Sequence, residues 1–304
     1  MKKIILTLLI AVMVAVLGIG LSACNSATPQ GQLHDLLFDY EHEEFEYDVK
    51  IYDVKNSTYN SERGTYFARH DKFKKGEEVA FGSRTLSNVS EGIRVTGELI
   101  YGDTVYEMGC YYTLTSGTSY MVPAYSFMTV SENGETTYEM QGTYNGGTFE
   151  CERKFGDGDP QTQSVKMSGT VWDNNQFQQI LRALPSSTFS SGLSISFNTP
   201  IANAYEFGSA TLTASGSSKV FVKDIPYTNV DDDLKENGLE CYQISLSRST
   251  EIKKTMTHTL YYAVNDIKWK MKNALVKIVE PFKDDNGQTF ETHYLLVSAE
   301  EWNE

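Results

Sequence analysis

The stretch IRVTGELIYGDTVYEMGCYY, residues 93–112, decides the fold class because apolar and polar side chains alternate on both sides of Gly102-Asp103. A period of two is typical of a β-strand with one buried face, and a Gly-Asp pair between two such segments indicates a hairpin. A two-residue loop places Leu99 opposite Tyr106. A register slip of one residue would turn the apolar side chains outward, so the pattern specifies its own pairing.

Three more turn signals, Ser116-Gly117, Asn133-Gly134 and Asn145-Gly146, extend this hairpin into a predicted β-meander over residues 92–155. Asn-Gly tolerates the positive φ angles of a type I′ turn. Two-residue loops at these pairs would place Phe127 opposite Met140, and Met140 opposite Cys151. We expect one apolar sheet face, lined by Tyr106, Met108, Phe127, Tyr138 and Met140.

The rest of the chain is also rich in alternating segments, beginning with residues 45–51. Residues 174–184 instead place Phe177, Ile180 and Leu181 on one helical stripe, which Pro185 ends. The predicted fold is mainly β: a curved antiparallel, half-barrel-like sheet wrapped around this one amphipathic helix, with room for an additional N-terminal β-meander. Further strands are expected over residues 164–172, 193–197, 205–213, 219–223, 240–247, 256–264, 274–280 and 289–297.

The N-terminus has the layout of a cleaved secretory signal. Lys2 and Lys3 precede an uncharged apolar run, and small residues follow it. The tetrapeptide Leu-Ser-Ala-Cys at 21–24 resembles the bacterial lipobox. That resemblance implies that residues 1–23 are removed and that Cys24 carries acyl chains. An uncleaved helical anchor and an ordinary secretory signal with a chance cysteine are the alternatives.

The domain organisation follows from this reading. Residues 24–32 form a lipidated cysteine with a flexible, Pro- and Gly-containing linker. Residues 33–304 form a β-rich extracytoplasmic body, which opens on a short helix and has room for two modules dividing near residues 173–192. Two acyl chains hold a protein stably on a bilayer. The expected location is therefore the extracytoplasmic face of the cell membrane.

Charge and motifs argue against several function classes. The net charge of −14 disfavours binding to nucleic acid and to anionic headgroups. The sequence contains no helical zinc motif, phosphate loop, dinucleotide fingerprint or nucleophile elbow, so we expect no metal, no cofactor and no enzymatic activity. The acidic runs 41–48 and 231–233 are interpreted as solvated rather than as calcium sites.

The cysteines other than Cys24 are expected to be free thiols. Cys110 and Cys151 fall on the same sheet face, but two strands separate their own, a distance of roughly 14 Å at about 4.8 Å per strand. A disulfide requires Cα atoms within about 7 Å. Cys241 alternates with Tyr242 and should point to the opposite face. Whether all three are free stays open.

A β-rich body interrupted by DNNQFQQILRALP, with later strands containing LVKIVEP and HYLLVSAEEW, resembles the LolA-like half-barrels of the lipoprotein-carrier class. The resemblance implies a sheet whose concave face shelters acyl chains or another apolar ligand. Residues that would line the site are Tyr106, Met108, Phe127, Tyr138, Met140, Phe177, Ile180 and Leu181.

Two other interpretations stay open. The same side chains could form an ordinary core, packed against the helix. The protein could also be a structural lipoprotein that contacts another envelope protein or wall polysaccharide through a tyrosine-rich surface. Candidate contacts for that role are Tyr111, Tyr112, Tyr120 and Tyr125.

Overall fold

A computed structural model describes residues 41–114, 121–173, 177–184, 186–227, 237–249, 257–265 and 273–302. The expected signal peptide, Cys24, the linker, the opening helix, Tyr120 and the 231–233 run lie outside these ranges. The described chain is mainly β, as predicted. Its strands are β1 His42–Asp53, β2 Thr58–Phe73, β3 Val79–Phe81, β4 Arg84–Leu86, β5 Gly92–Tyr101, β6 Thr104–Leu114, β7 Met121–Glu132, β8 Glu135–Asn145, β9 Thr148–Phe155, β10 Gln161–Lys166, β11 Leu193–Ala202, β12 Phe207–Val222, β13 Leu239–Ser249, β14 His258–Ala263, β15 Leu275–Lys283 and β16 Thr289–Trp302.

Fourteen of these strands form one antiparallel sheet, in the order β10-β9-β8-β7-β6-β5-β2-β1-β16-β15-β14-β13-β12-β11. The short strands β3 and β4 form a separate hairpin. The first strand, β1, lies between β2 and the last strand, β16. The sheet therefore contains strands from both sides of residues 173–192. The division into modules stays a prediction.

The sheet curls until its two edges almost meet, so the barrel is more closed than the predicted half-barrel. Val171, just beyond β10, forms a parallel bridge with Asn198 of β11. The Arg153 guanidinium on β9 donates a 2.6 Å hydrogen bond to the Asn203 carbonyl after β11 and a 2.7 Å bond to Gln163 on β10. Arg153 thus joins the first and last parts of the sheet.

The predicted helix over 174–184 is much shorter in the structure. An α-helical turn, Phe177–Ile180, continues as a 3₁₀ turn, Leu181–Ala183, and a second helix spans Ser186–Ser191. We call these three pieces the helical segment. The described part contains no long amphipathic helix. The predicted burial of the apolar stripe is confirmed for Ile180 and Leu181, which are fully buried.

Two predicted registers are wrong, and each has a local cause. The third predicted pairing, Leu99 with Tyr106, is confirmed. Phe127 faces Gln141 instead of Met140, because a bulge at Val130/Ser131 shifts the pairing by one residue.

The pairing of Met140 with Cys151 is also wrong. The loop between β8 and β9 consists of Gly146 and Gly147, both at positive φ, so Met140 faces Arg153. The two turn positions with positive φ are Gly146 and Gly147, one residue later than the predicted Asn145-Gly146 turn.

Side chains from opposite parts of the sheet meet in one core, which identifies the inner face. Ile93 and Val95 of β5 share a buried cluster with Phe197 of β11, Leu212 of β12 and the helical segment. Cys110, Cys151 and Cys241 are buried free thiols, as expected. Cys241 lies in a different cluster from Tyr242, in agreement with the strand alternation.

Candidate functional site

The two ends of the curled sheet differ in how their inner faces are covered. At one end, which we call the helical end, Ile180, Leu181 and Leu184 pack against the inner face. Tyr112, Tyr262 and Trp172 are buried with them. This end is therefore filled by the chain itself.

At the opposite end, the far end, apolar side chains face inward but are only partly buried. The register places them on the inner face, because they are cross-strand neighbours of one another or alternate with core residues. We call this set the far-end wall. Its members are Leu99, Tyr106, Met108, Met128 and Tyr294.

Polar groups border the far-end wall. The Tyr294 hydroxyl donates a 3.1 Å hydrogen bond to Oε2 of Glu280. Nδ1 of His258 lies 3.4 Å from Oε1 of the same carboxylate. Partial burial raises the pKa of Tyr106, and the nearby Tyr205 and Glu132 raise it further. The far end therefore combines an apolar surface with a few placed polar groups, the usual composition of a small-molecule site.

A buried ion network lies at the helical end. Arg182 of the helical segment donates a 3.0 Å hydrogen bond to Oε2 of Glu43 on β1, and Nδ1 of His70 on β2 lies 3.0 Å from the same oxygen. The Arg182 guanidinium also stacks on Phe45, 4.2 Å from the ring centroid. Interpreting residues 41–48 as a solvated run was thus wrong for Glu43, which alternates inward with Phe45 and is buried.

The environment of this network sets its protonation. Burial alone would raise the pKa of Glu43, but the Arg182 charge and the hydrogen bond from His70 outweigh it and lower the pKa to about 2. Burial lowers the pKa of His70, and the hydrogen bond with Glu43 opposes that shift. The network therefore contains a carboxylate, a guanidinium and a neutral imidazole, an arrangement suited to holding the helical segment in place.

Further hydrogen bonds attach the helical segment to the sheet. Gln179 donates to the Tyr47 hydroxyl at 3.2 Å, and that hydroxyl donates to the Leu275 carbonyl at 2.8 Å. The Asn273 side-chain amide donates to the carbonyls of Arg182 and Leu184. The two bonds from Asn273 satisfy carbonyls that a short helical turn leaves without internal partners.

A second polar cluster lies on the outer face of the sheet, where β1 pairs with β2 and with β16. The Tyr59 hydroxyl lies 2.9 Å from Nδ1 of His293, whose Nε2 lies 2.8 Å from Glu291. Tyr52 stacks on the imidazole with ring centroids 5.2 Å apart. Burial lowers the pKa of His293, and the hydrogen bond to Glu291 opposes this. Because the neutral ring donates from Nε2 to Glu291, Nδ1 accepts from Tyr59.

The structure separates the predicted ligand-lining residues into three groups. Tyr106 and Met108 are on the far-end wall. Tyr138 and Met140 also lie on the inner face, where they are buried next to the far-end wall. Ile180 and Leu181 are core residues at the helical end. The side chain of Phe177 lies outside the described part.

Phe127 was placed on the wrong face. It packs edge-on against Phe81 of β3 at a centroid distance of 4.7 Å, in an outer cluster beneath the short hairpin. The reason is the extra residue Thr137 in β8, which puts Phe127 opposite Gln141. Tyr111 and Tyr112 were also wrong as surface contacts, since both are buried.

Met128, Tyr294 and Glu280 were not predicted to share a site. Tyr294 and Glu280 lie in strands that the alternation predicted, but pairing of β16 with β1 brings them to the far end. That long-range pairing has no local signal in the sequence.

Two general findings apply to the described residues. No group of three or more His, Cys, Asp or Glu side chains among them is arranged to hold a metal ion. None of their helices has the length and apolar character needed to cross a membrane.

Comparison with known proteins adds little. No protein-family model and no curated protein matches this sequence. Among solved structures, the chain is similar to a β-barrel-like protein of domain of unknown function DUF1849 from Brucella abortus, with 9% sequence identity and a TM-score of 0.48. The match covers 87% of this chain and 99% of that one. A likeness at this level identifies no shared activity.

Proposed function

We propose that this protein is a lipid-anchored, extracytoplasmic, non-enzymatic binding protein that holds an apolar molecule against the far-end wall. One observation carries the proposal: five apolar side chains face into the curled sheet yet stay partly exposed, whereas the helical segment covers the inner face at the other end. Methionine and aromatic side chains adapt to irregular apolar ligands.

The anchoring half of the proposal rests on the sequence. The basic start, the apolar run and the lipobox-like tetrapeptide support acylation of Cys24 on the outer side of the cell membrane. The resemblance to the half-barrel carriers supports the same location. The purified native protein should begin at Cys24 and have a mass increased by acyl groups; a native chain that begins at an unmodified Met1 would contradict anchoring.

The binding half can be tested on the chain without residues 1–23. Solvent extraction followed by mass spectrometry should release a bound apolar compound, and the emptied protein should increase the fluorescence of the neutral dye Nile red. Met128→Asn should abolish the dye response. Its neighbour Thr129 points to the outer face and provides the matched control, Thr129→Asn. A body that carries nothing and leaves the dye unchanged would refute the binding role.

A second candidate is contact with an envelope protein or wall polysaccharide through the outer face of the sheet. Tyr59 supports it, because this ring is 42% exposed and is held by Tyr52 and His293. Aromatic rings held in a fixed orientation are common contacts at interfaces. Cross-linking of intact envelopes should capture a partner that Tyr59→Ala loses; unchanged capture would refute this role for Tyr59.

A further inference from the structure

The charged groups around the far-end wall are biased toward carboxylates. Glu280 accepts a hydrogen bond from Tyr294, and Glu132 lies close enough to Tyr106 to affect its ionisation. Tyr101, two residues beyond Leu99 on the same face of β5, donates a 2.8 Å hydrogen bond to Glu62. Each of these tyrosines is therefore beside an acidic side chain.

Among the basic side chains at this end, Arg248 and His258 lie beside carboxylates, whereas the Arg153 guanidinium donates to Gln163 and to the Asn203 carbonyl. Nη2 of Arg248 on β13 lies 3.5 Å from Glu206, and His258 lies beside Glu280. Arg248 therefore offsets Glu206, while Glu280, Glu62 and Glu132 outnumber the Arg153 guanidinium. A ligand that brought a carboxylate to this end would meet like charge.

We propose that the occupant of the far-end wall is an amphiphile with a cationic, hydrogen-bond-donating head group, which Glu280 receives while the apolar chain lies along Tyr106, Met108 and Met128. This inference rests on the proposed binding function and names the ligand class.

The geometry at Glu280 favours such a head group. An ionised carboxylate accepts about four hydrogen bonds and donates none. One is taken by Tyr294, and His258 lies at 3.4 Å, so acceptor capacity remains on both oxygens. A primary ammonium donates three hydrogen bonds and brings the opposite charge. A hydrogen bond to a charged group contributes about 1.5–3 kcal/mol, which corresponds to roughly tenfold or more in affinity.

The test uses three probes with the same twelve-carbon chain: dodecylamine, dodecanol and dodecanoate. Each is titrated below its micelle concentration into the chain without residues 1–23, at physiological ionic strength, by calorimetry. We expect dodecylamine to bind about tenfold more tightly than dodecanoate, with dodecanol between them. Equal or tighter binding of dodecanoate would overturn the inference.

Two variants separate the site from the overall negative charge. Glu280→Gln keeps an acceptor for Tyr294 and should lower dodecylamine affinity about tenfold while dodecanol binding stays unchanged. Glu107→Gln removes the same charge from the exposed outer face of β6 and should leave all three affinities unchanged. If both variants weaken dodecylamine equally, the attraction is non-specific and the inference fails.

The outcomes also distinguish this inference from the function on which it rests. If none of the three probes binds, the proposed binding function itself is refuted. If dodecanol binds, and dodecylamine binds no better than dodecanoate, the binding function stands and only the cationic ligand class is refuted. Circular dichroism of each variant verifies that the fold is retained.

Discussion

The guanidinium of Arg182 lies 3.0 Å from the carboxylate of Glu43, and both side chains are almost fully buried inside the sheet. The pair joins the helical segment to β1 across a sequence separation of 139 residues. Removing one member of a buried ion pair leaves the other charge without compensation, which is the most costly change of this kind.

Arg182→Met should therefore lower the free energy of unfolding by about 3–5 kcal/mol, measured by urea denaturation. The double variant Glu43→Gln/Arg182→Met should recover part of this loss, because no buried charge is left unpaired. Arg63 is an exposed control, since its guanidinium lies 3.8 Å from Asp48 at the surface. Arg63→Met should change stability by less than about 0.5 kcal/mol; equal effects at the two arginines would contradict the buried pair.

The same network predicts a pH dependence. The folded-state pKa of Glu43 is about 2 against an ordinary value of 4.5, so its contribution is present above pH 4.5 and is lost as the pH falls toward 2. The contribution is at most on the order of 3 kcal/mol. His70 also makes the folded protein less stable as the pH falls below 6.5. Its pKa is lowered on folding, so the unfolded chain binds the proton more readily.

Unfolding free energies between pH 7 and pH 3 test this pH dependence. Glu43→Gln should have a shallower decline below pH 5 than the unsubstituted chain. His70→Gln should remove part of the decline between pH 6.5 and pH 5. If both variants have the slope of the unsubstituted chain, the network does not titrate as described.

Closure of the barrel should depend on Arg153. Arg153→Met keeps much of the side-chain length but removes the hydrogen bonds to Asn203 and Gln163, each worth about 1.5–3 kcal/mol for a charged donor. Amide hydrogen exchange should accelerate in β10 and β11 more than in β1. Lys154, the next residue and on the outer face, gives the control Lys154→Met. Uniform acceleration across the sheet would indicate global destabilisation instead of opened edges.

The three buried thiols should be unreactive in the folded protein. Burial raises the pKa of Cys151 to about 11 and of Cys241 to about 12, and raises that of Cys110 as well. A hydrophilic alkylating reagent at pH 8 should leave all three unmodified until urea unfolds the chain, and should then modify all three without reductant. Peptide mass spectrometry after each step checks this, and a thiol that stays protected in urea without reductant would contradict the free state.

The sequence predicted the strands well because alternation is a local signal. The hairpin of Leu99 and Tyr106 was predicted correctly, since Gly102-Asp103 fixes the register directly. The registers of Phe127 and Met140 failed where the backbone departs from the simplest loop, once at a bulge and once at a Gly-Gly turn. Alternation alone does not reveal an extra residue in one strand.

The buried network could not be predicted in the same way. Glu43, His70 and Arg182 belong to three separate elements, and each alone has the sequence context of an ordinary surface charge. The far-end wall was found in part, since Tyr106 and Met108 follow from one hairpin. Tyr294 joined it only through the pairing of β16 with β1, a contact between the two ends of the described chain.

The pairing of β1 with β16 also shows at which end of the sheet the described chain begins. β1 begins at His42, opposite Trp302 and at the same end as Glu43, so the chain enters the sheet beside the helical segment. A lipid anchor upstream of residue 41 would therefore attach the body at its helical end. The far-end wall lies toward the opposite end of β1, roughly 40 Å from its first residue for twelve extended residues. If the proposed anchoring and binding both hold, a bound molecule would reach the far-end wall from the surrounding compartment or from a partner facing the membrane.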